Sequence, residues 1–203
     1  MMPAPTPINL SPLPTYRFGG RMTMAWGTAA FIALEGMGFA IGASAYLYLA
    51  VTNADWPLGV GPPPLWWSTA FTLVVAASVW PNHLAKINAR SENLAKVRRD
   101  LVILSAFGAA LLVMRVFELR ALNVGWEHNA YGSILWIMLG LHTLHLLTDW
   151  GDTVVLTALM FTRHGKGRRF SDVEDNAVYW DFVVASWLAI YALLYWFPRW
   201  WSS

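Results

Sequence analysis

The stretch His142 to Asp152, HTLHLLTDWGD, sets two imidazoles, His142 and His145, and two carboxylates, Asp149 and Asp152, inside an otherwise apolar run. On a helix of about 3.6 residues per turn these four fall within roughly a quarter of the circumference, so one polar stripe faces something other than lipid. Ionisable groups at membrane depth are costly and mark a proton path, an ion site or a buried pair. Two chemistries suit this set. One is a hydrogen-bonded seam or proton relay between helices. The other is a metal site, since imidazole and carboxylate both ligate first-row ions. H-x-x-H alone is a weak metal signal because a site needs at least three ligands, and the seam is the favoured reading.

Four further ionisable residues lie in apolar surroundings. Glu35 sits near the middle of its segment with Gly38 and Gly42 at i+3 and i+7, a small-residue face that lets another helix approach closely. Its carboxyl group either relays a proton or hydrogen-bonds across that interface. Arg115 and Glu118, spaced i, i+3, form a separate ion pair along one helix. Asp181 is expected at the depth of Asp149, because the two helices that carry them cross in opposite directions. The sequence therefore predicts a polar network of Glu35, His142, His145, Asp149 and Asp181, with Arg115 and Glu118 apart from it.

These residues must be positioned by membrane-crossing elements. The 203 residues are 57% hydrophobic and only 13% charged, with 13 Trp and a mean hydropathy of +0.43, a composition too apolar for an ordinary soluble domain. Cysteine is absent, which excludes disulfides, thiolate metal centres and a cysteine nucleophile. The fold expected is an all-α polytopic bundle of five spans, each long enough to cross a hydrocarbon core of about 30 Å. The spans are predicted at Met22 to Val51, Leu65 to Asn82, Leu101 to Leu122, Asn129 to Phe161 and Ala177 to Phe197. Residues 1–21 read as a Pro-rich cytoplasmic tail carrying Pro3, Pro5, Pro7, Pro12 and Pro14, and 22–203 as one transmembrane domain.

The formal net charge of +2 does not point to nucleic acid, because the cations sit in short clusters between apolar runs. Arg17 and Arg21 precede the first span; Lys86, Arg90, Lys96, Arg98 and Arg99 follow the second; Arg163, Lys166, Arg168 and Arg169 follow the fourth. The positive-inside rule then places the N-terminus in the cytoplasm and the C-terminus outside. Trp56, Trp66, Trp67, Trp126, Trp196, Trp200 and Trp201 fall at the predicted outer ends, as an interfacial aromatic belt would. No Gly-rich phosphate loop, strand alternation or heptad seam is found.

The ordered motifs resemble subunit III of the haem-copper terminal oxidases. FIALEGMGFA is similar to that family's helix bearing an intramembrane glutamate, with Glu35 in its place, and RVFEL resembles the Q-x-x-E-Y element, with Glu118 as the acid. YGSILWIMLGLHTLH resembles the Y-G-S…G-x-H-G-x-H helix at Tyr131, Gly132, Ser133, Gly140, His142 and His145. The last helix is similar to W-Y-W-H-F-V-D-V-V-W-L…Y at Tyr179, Trp180, Phe182, Val183, Trp187, Leu188 and Tyr191. Arg115 stands where the family has Gln, Asp181 where it has His, Val184 where it has Asp, and Asp149 where a small residue is usual.

The resemblance implies the short, five-helix form of the family and a non-catalytic subunit of a respiratory oxidase in a bacterial cytoplasmic membrane. It implies no haem, copper or other metal in this chain, both cofactors in partner subunits, bound phospholipid, and a role in proton uptake and durability of catalytic subunit I. The electron donor, cytochrome c or quinol, stays open. Two alternatives from other classes remain at this stage: a membrane metal-dependent oxidoreductase using His142, His145, Asp149 and Asp181, and a small proton-coupled transporter using Glu35 and the stripe.

Overall fold

A computed structural model describes residues 23–163, 165 and 168–201. The Pro-rich segment 1–21 with Arg17 and Arg21, and also Lys166 and Ser203, lie outside the described residues. The secondary structure of the described residues is all helical: α1 (Thr23–Thr52), α2 (Leu65–Arg90), α3 (Leu94–Arg120), α4 (Ala130–Phe161) and α5 (Arg168–Tyr191), which continues through a π turn (Ala192–Trp196) into α6 (Phe197–Trp201).

Local sequence sets the boundaries. Asn93 caps α3 by accepting the Lys96 N–H at 3.2 Å, and Asn129 caps α4 by accepting the Gly132 N–H at 2.8 Å, each satisfying an amide that has no partner within its own helix. The turn between α2 and α3 carries Glu92 in the left-handed region, at φ 53°. Gly132 packs so closely on the preceding loop that a Cβ there would collide with the Gly125 carbonyl oxygen, so the first turn of α4 needs glycine.

α2, α3, α4 and α5 pack as a ring of neighbours, and α1 lies in the groove between α4 and α5. The main core runs from Phe71 and Val75 through Leu104, Leu111, Leu135, Met138 and Leu146 to Trp180, Trp187 and Tyr195. A second, smaller core joins Ala85, Ala89, Val97, Leu101, Leu156, Met160, Phe170 and Val173 at one end. Most of α1 is unpacked: Phe31, Leu34, Met37, Ile41 and Tyr48 are exposed, which suits contact with lipid or a partner helix.

Four helical segments, Met24–Thr52, Leu94–Arg120, Ala130–Phe161 and Arg169–Trp201, are long and apolar enough to cross a membrane. Three expected boundaries need correction, the first being that of the fifth helix, which begins at Arg168 rather than Ala177. The second helix does not stop at Asn82 but passes through the buried Pro81 to Arg90, and the third starts at Leu94 rather than Leu101. Hydropathy marks the hydrocarbon crossing and not the helix end. The extra turns are held by the smaller core, where Ala85 and Ala89 of α2 join Val97 and Leu101 of α3, and by buried Asp100, which accepts from Asn88 Nδ2 at 2.5 Å.

Candidate functional site

The polar residues do not form the single network expected. They divide between a closed site in the core of the ring and an open cleft beside α1.

The closed site is centred on Arg115, 1% exposed, on α3. Its Nη1 donates to Glu118 Oε2 at 2.5 Å and its Nη2 to His142 Nδ1 at 2.9 Å. A guanidinium can only donate, so Nδ1 is the acceptor and the imidazole hydrogen sits on Nε2. That hydrogen is given to the Val183 carbonyl of α5 at 3.1 Å. The second oxygen of Glu118 accepts from Tyr195 Oη at 2.5 Å. Tyr195 belongs to the π turn, and the extra residue that such a turn inserts re-aims the side chains that follow. The guanidinium lies over both the Phe71 and Trp187 rings, 4.1 and 4.3 Å from their centroids, on one side of a ring pair whose own centroids are 4.6 Å apart, the cation–π contact favoured by a desolvated arginine.

His142 thus joins Arg115 and Glu118 and not Glu35, which corrects the expectation that the ion pair stands apart. The cause lies in the helix ring. His142 and His145 share one stripe of α4, but His142 points between α3 and α5 whereas His145 points at α1. Chemically, the closed site can fix the registry of α3, α4 and α5; buried ionic groups of this kind specify one arrangement because every alternative leaves a charge unpaired.

The open cleft has a volume of about 740 Å³ and is walled by α1, α4 and α5. At its inner end Glu35 Oε2 accepts from Tyr179 Oη at 2.6 Å, and Glu35 Oε1 lies 3.4 Å from His145 Nε2. His145 Nδ1 contacts the Leu141 carbonyl at 2.6 Å, and since a carbonyl only accepts, Nδ1 carries hydrogen. A proton held on either Glu35 Oε1 or His145 Nε2 would complete that pair. Phe39 lies against the His145 ring at 4.8 Å. Asp149 Oδ1 accepts from Asn176 Nδ2 at 3.2 Å, and the same amide reaches Asp152 Oδ2 at 3.5 Å and Thr153 Oγ1 at 3.1 Å.

Asp181 is elsewhere. It accepts from Asn82 Nδ2 of α2 at 2.8 Å, lies 3.7 Å from Lys86 Nζ, and its side chain is 49% exposed. It is not level with Asp149, which meets Asn176 of α5 while His142 meets Val183, and it stands on the α2-facing side of α5. It therefore corrects two expectations: it is not at the depth of Asp149, and the four residues of the metal alternative do not converge. Among the described residues no three His, Cys, Asp or Glu side chains are grouped to hold a metal ion.

Several members of these sites carry no signal in the sequence. Tyr195 depends on the π turn, and Asn176 lies within a charged segment, SDVEDN, that reads as surface. Tyr179 and Trp187 are visible as motif residues, but their contacts with Glu35 and Arg115 depend on how α5 is turned.

A protein-family model described as cytochrome c oxidase subunit III matches residues 22–202. The chain is 28% identical over 183 residues to the probable cytochrome c oxidase subunit 3 of Mycobacterium tuberculosis, covering 83% of this chain and 85% of that one. It is 25% identical over 174 residues to cytochrome c oxidase subunit 3 of Synechocystis sp., covering 84% and 74%. Against the protein of the same name from Pylaiella littoralis it is 26% identical over 130 residues, 64% of this chain but only 46% of that longer relative.

Proposed function

The chain belongs to the cytochrome c oxidase subunit III family, and on that footing we propose that it acts as the non-catalytic, subunit III-like component of a respiratory haem-copper oxidase in a bacterial cytoplasmic membrane. The observation that carries this reading is the extent of the match, residues 22–202, which takes in every long helix. The chain is an integral membrane protein. In this reading α2 is the fifth span, its Ser68, Ser78 and Asn82 turned into the bundle, and haem and copper belong to partner chains.

The support for catalytic subunit I is assigned to three features. The closed site makes a rigid four-helix frame. The Glu35, His145 and Tyr179 group at the base of the cleft holds an exchangeable proton in the membrane, and the exposed apolar face of α1 takes lipid or a partner helix.

Glu35→Gln tests this role. The amide keeps the size of the side chain and an acceptor for Tyr179 but removes the exchangeable acid proton. The mutant complex is expected to assemble with normal haem content and to lose activity, or lifetime during turnover, by a modest factor, about two- to tenfold, in line with one perturbed proton-transfer group outside the reacting centre. Oxygen consumption over successive turnovers measures it. Complete loss with intact haem spectra would place Glu35 on an obligatory catalytic path, and unchanged behaviour would leave it a structural contact only.

The orientation proposed is N-terminus in and C-terminus out, from the Lys and Arg clusters at 86–99 and 163–169. A reporter enzyme active only in the cytoplasm, fused after Ser203, is expected to be silent; activity there would reverse the assignment.

A further inference from the structure

We infer that Tyr46, Trp56 and Tyr131 enclose a bound water molecule that pins the C-terminal end of α1 to the start of α4. The inference goes beyond the oxidase reading and does not depend on which chains this one assembles with.

The site sits where a lightly packed helix is fixed to the ring. Among the described residues of α1 only Phe39, Tyr46 and Ala50 are buried. Gly42 brings α1 close to α4, since a Cβ there would collide with Met138 Sδ. One turn further on, Tyr46 meets Trp56 of the α1–α2 loop and Tyr131 of the first turn of α4. The Trp56 ring stands edge-on to both tyrosines, 5.1 Å from each centroid, and the tyrosine rings are 6.3 Å apart. Phe197 of α6 packs edge-on against Tyr46 at 6.0 Å. Tyr46 and Tyr131 are 0% exposed and Trp56 is 3% exposed.

These rings carry three polar atoms inside with them, Tyr46 Oη, Trp56 Nε1 and Tyr131 Oη, and each is without a hydrogen-bond partner. Buried polar atoms are nearly always paired, and an orphan costs its full desolvation. Three orphans on three touching rings point to one shared ligand. The polar heads are neighbours, Trp56 acting on the Tyr46 hydroxyl and Tyr46 on that of Tyr131, yet none meets another in hydrogen-bond geometry. A direct bond from the indole to Tyr46 would still leave Tyr131 unpaired. One water serves all three: it accepts from the indole N–H, which can only donate, and exchanges hydrogen bonds with two hydroxyls that either donate or accept. Three bonds is the usual complement of a buried water. An anion would need a free cation beside it, and Arg199, the cation that acts on Tyr131, gives its Nη groups to the Tyr195 and Pro63 carbonyls.

Two measurements on the intact complex test this. Electron cryo-microscopy at a resolution that shows ordered water is expected to place a peak within hydrogen-bond distance of Tyr46 Oη, Trp56 Nε1 and Tyr131 Oη. Tyr46→Phe and Tyr131→Phe, which keep the rings, supply the energetic arm. Removing a hydroxyl that is buried without a partner relieves a cost and leaves α1 as firm as before or firmer, whereas removing one that holds the water loosens it. Hydrogen–deuterium exchange of residues 47–52, read by mass spectrometry, is expected to be about fivefold faster in each variant, the worth of one hydrogen bond, with residues 113–120 of α3 unchanged. Faster exchange in Tyr46→Phe alone would assign a direct bond between the indole and Tyr46 and overturn the water site. Unchanged or slower exchange in both variants, or a wild-type map without the peak, would overturn it as well.

Discussion

Arg115→Met is expected to destabilise the folded bundle by about 3–5 kcal/mol, the cost of removing one partner from a buried ion pair. The methionine fills much of the space beside the Phe71 and Trp187 rings, so the loss is electrostatic more than steric. Glu118 then has only Tyr195 as a donor, and His142 Nδ1 loses the one it now has. Two companions separate the causes. Arg115→Lys keeps the charge but cannot donate to Glu118 and His142 as a planar fork laid against two rings, and is expected to fall between wild type and Arg115→Met. The double change Arg115→Met with Glu118→Leu removes both charges and is expected to recover a large part of the loss, because a buried pair contributes little net stability over well-packed apolar groups. Unfolding in mixed micelles, followed by helical circular dichroism, orders the four proteins. A double variant no better than Arg115→Met would show that the network does more than neutralise a buried charge.

Trp187→Ala is expected to cost about 3–5 kcal/mol by the same measurement, the range for truncating a large buried aromatic side chain. Trp187 is fully buried between α2 and α5, where its ring covers the Arg115 guanidinium and its Nε1 donates to Thr72 Oγ1 at 2.9 Å. Truncation opens a cavity beside a charge and removes the donor to that hydroxyl, which keeps its own hydrogen bond to the Ser68 carbonyl. Trp187→Phe keeps a ring over the guanidinium and forfeits the indole hydrogen bond, so about 1–2 kcal/mol is expected. A fall in stability for Trp187→Phe as large as that for Trp187→Ala would place the weight on the hydrogen bond to Thr72 and not on packing and cation–π contact.

The helices were legible because a bilayer imposes length and apolarity on any segment that crosses it, and the runs around Glu35, Leu111, Leu139 and Val184 meet that demand without help from packing. Helix ends were less legible. α2 and α3 outrun their apolar stretches because Ala85, Ala89, Val97 and Leu101 bury each other beyond the hydrophobic band, and hydropathy alone is blind to such pairing. Within the site, residue type was readable, whereas partners were not. His142 and His145 share a stripe of α4, but a stripe a quarter-turn wide spans two neighbours in a helix ring, and the sequence does not say where α1 ends and α5 begins along it. Asp181 illustrates the same limit: its level against α4 and its azimuth both depend on how α5 packs against its neighbours. The i, i+3 spacing of Arg115 and Glu118 brought them together because both ends of that contact lie on one helix.

The most direct test is to purify the complex from native membranes in a gentle detergent, through a tag on this chain, and to identify its partners by mass spectrometry together with its haem absorbance. A haem-copper catalytic subunit in one-to-one ratio with this chain, with haem in the complex and none retained when this chain is separated from it, is the expected result. Recovery of the chain alone, or with partners that include no haem-copper subunit, would contradict its assignment as an oxidase subunit.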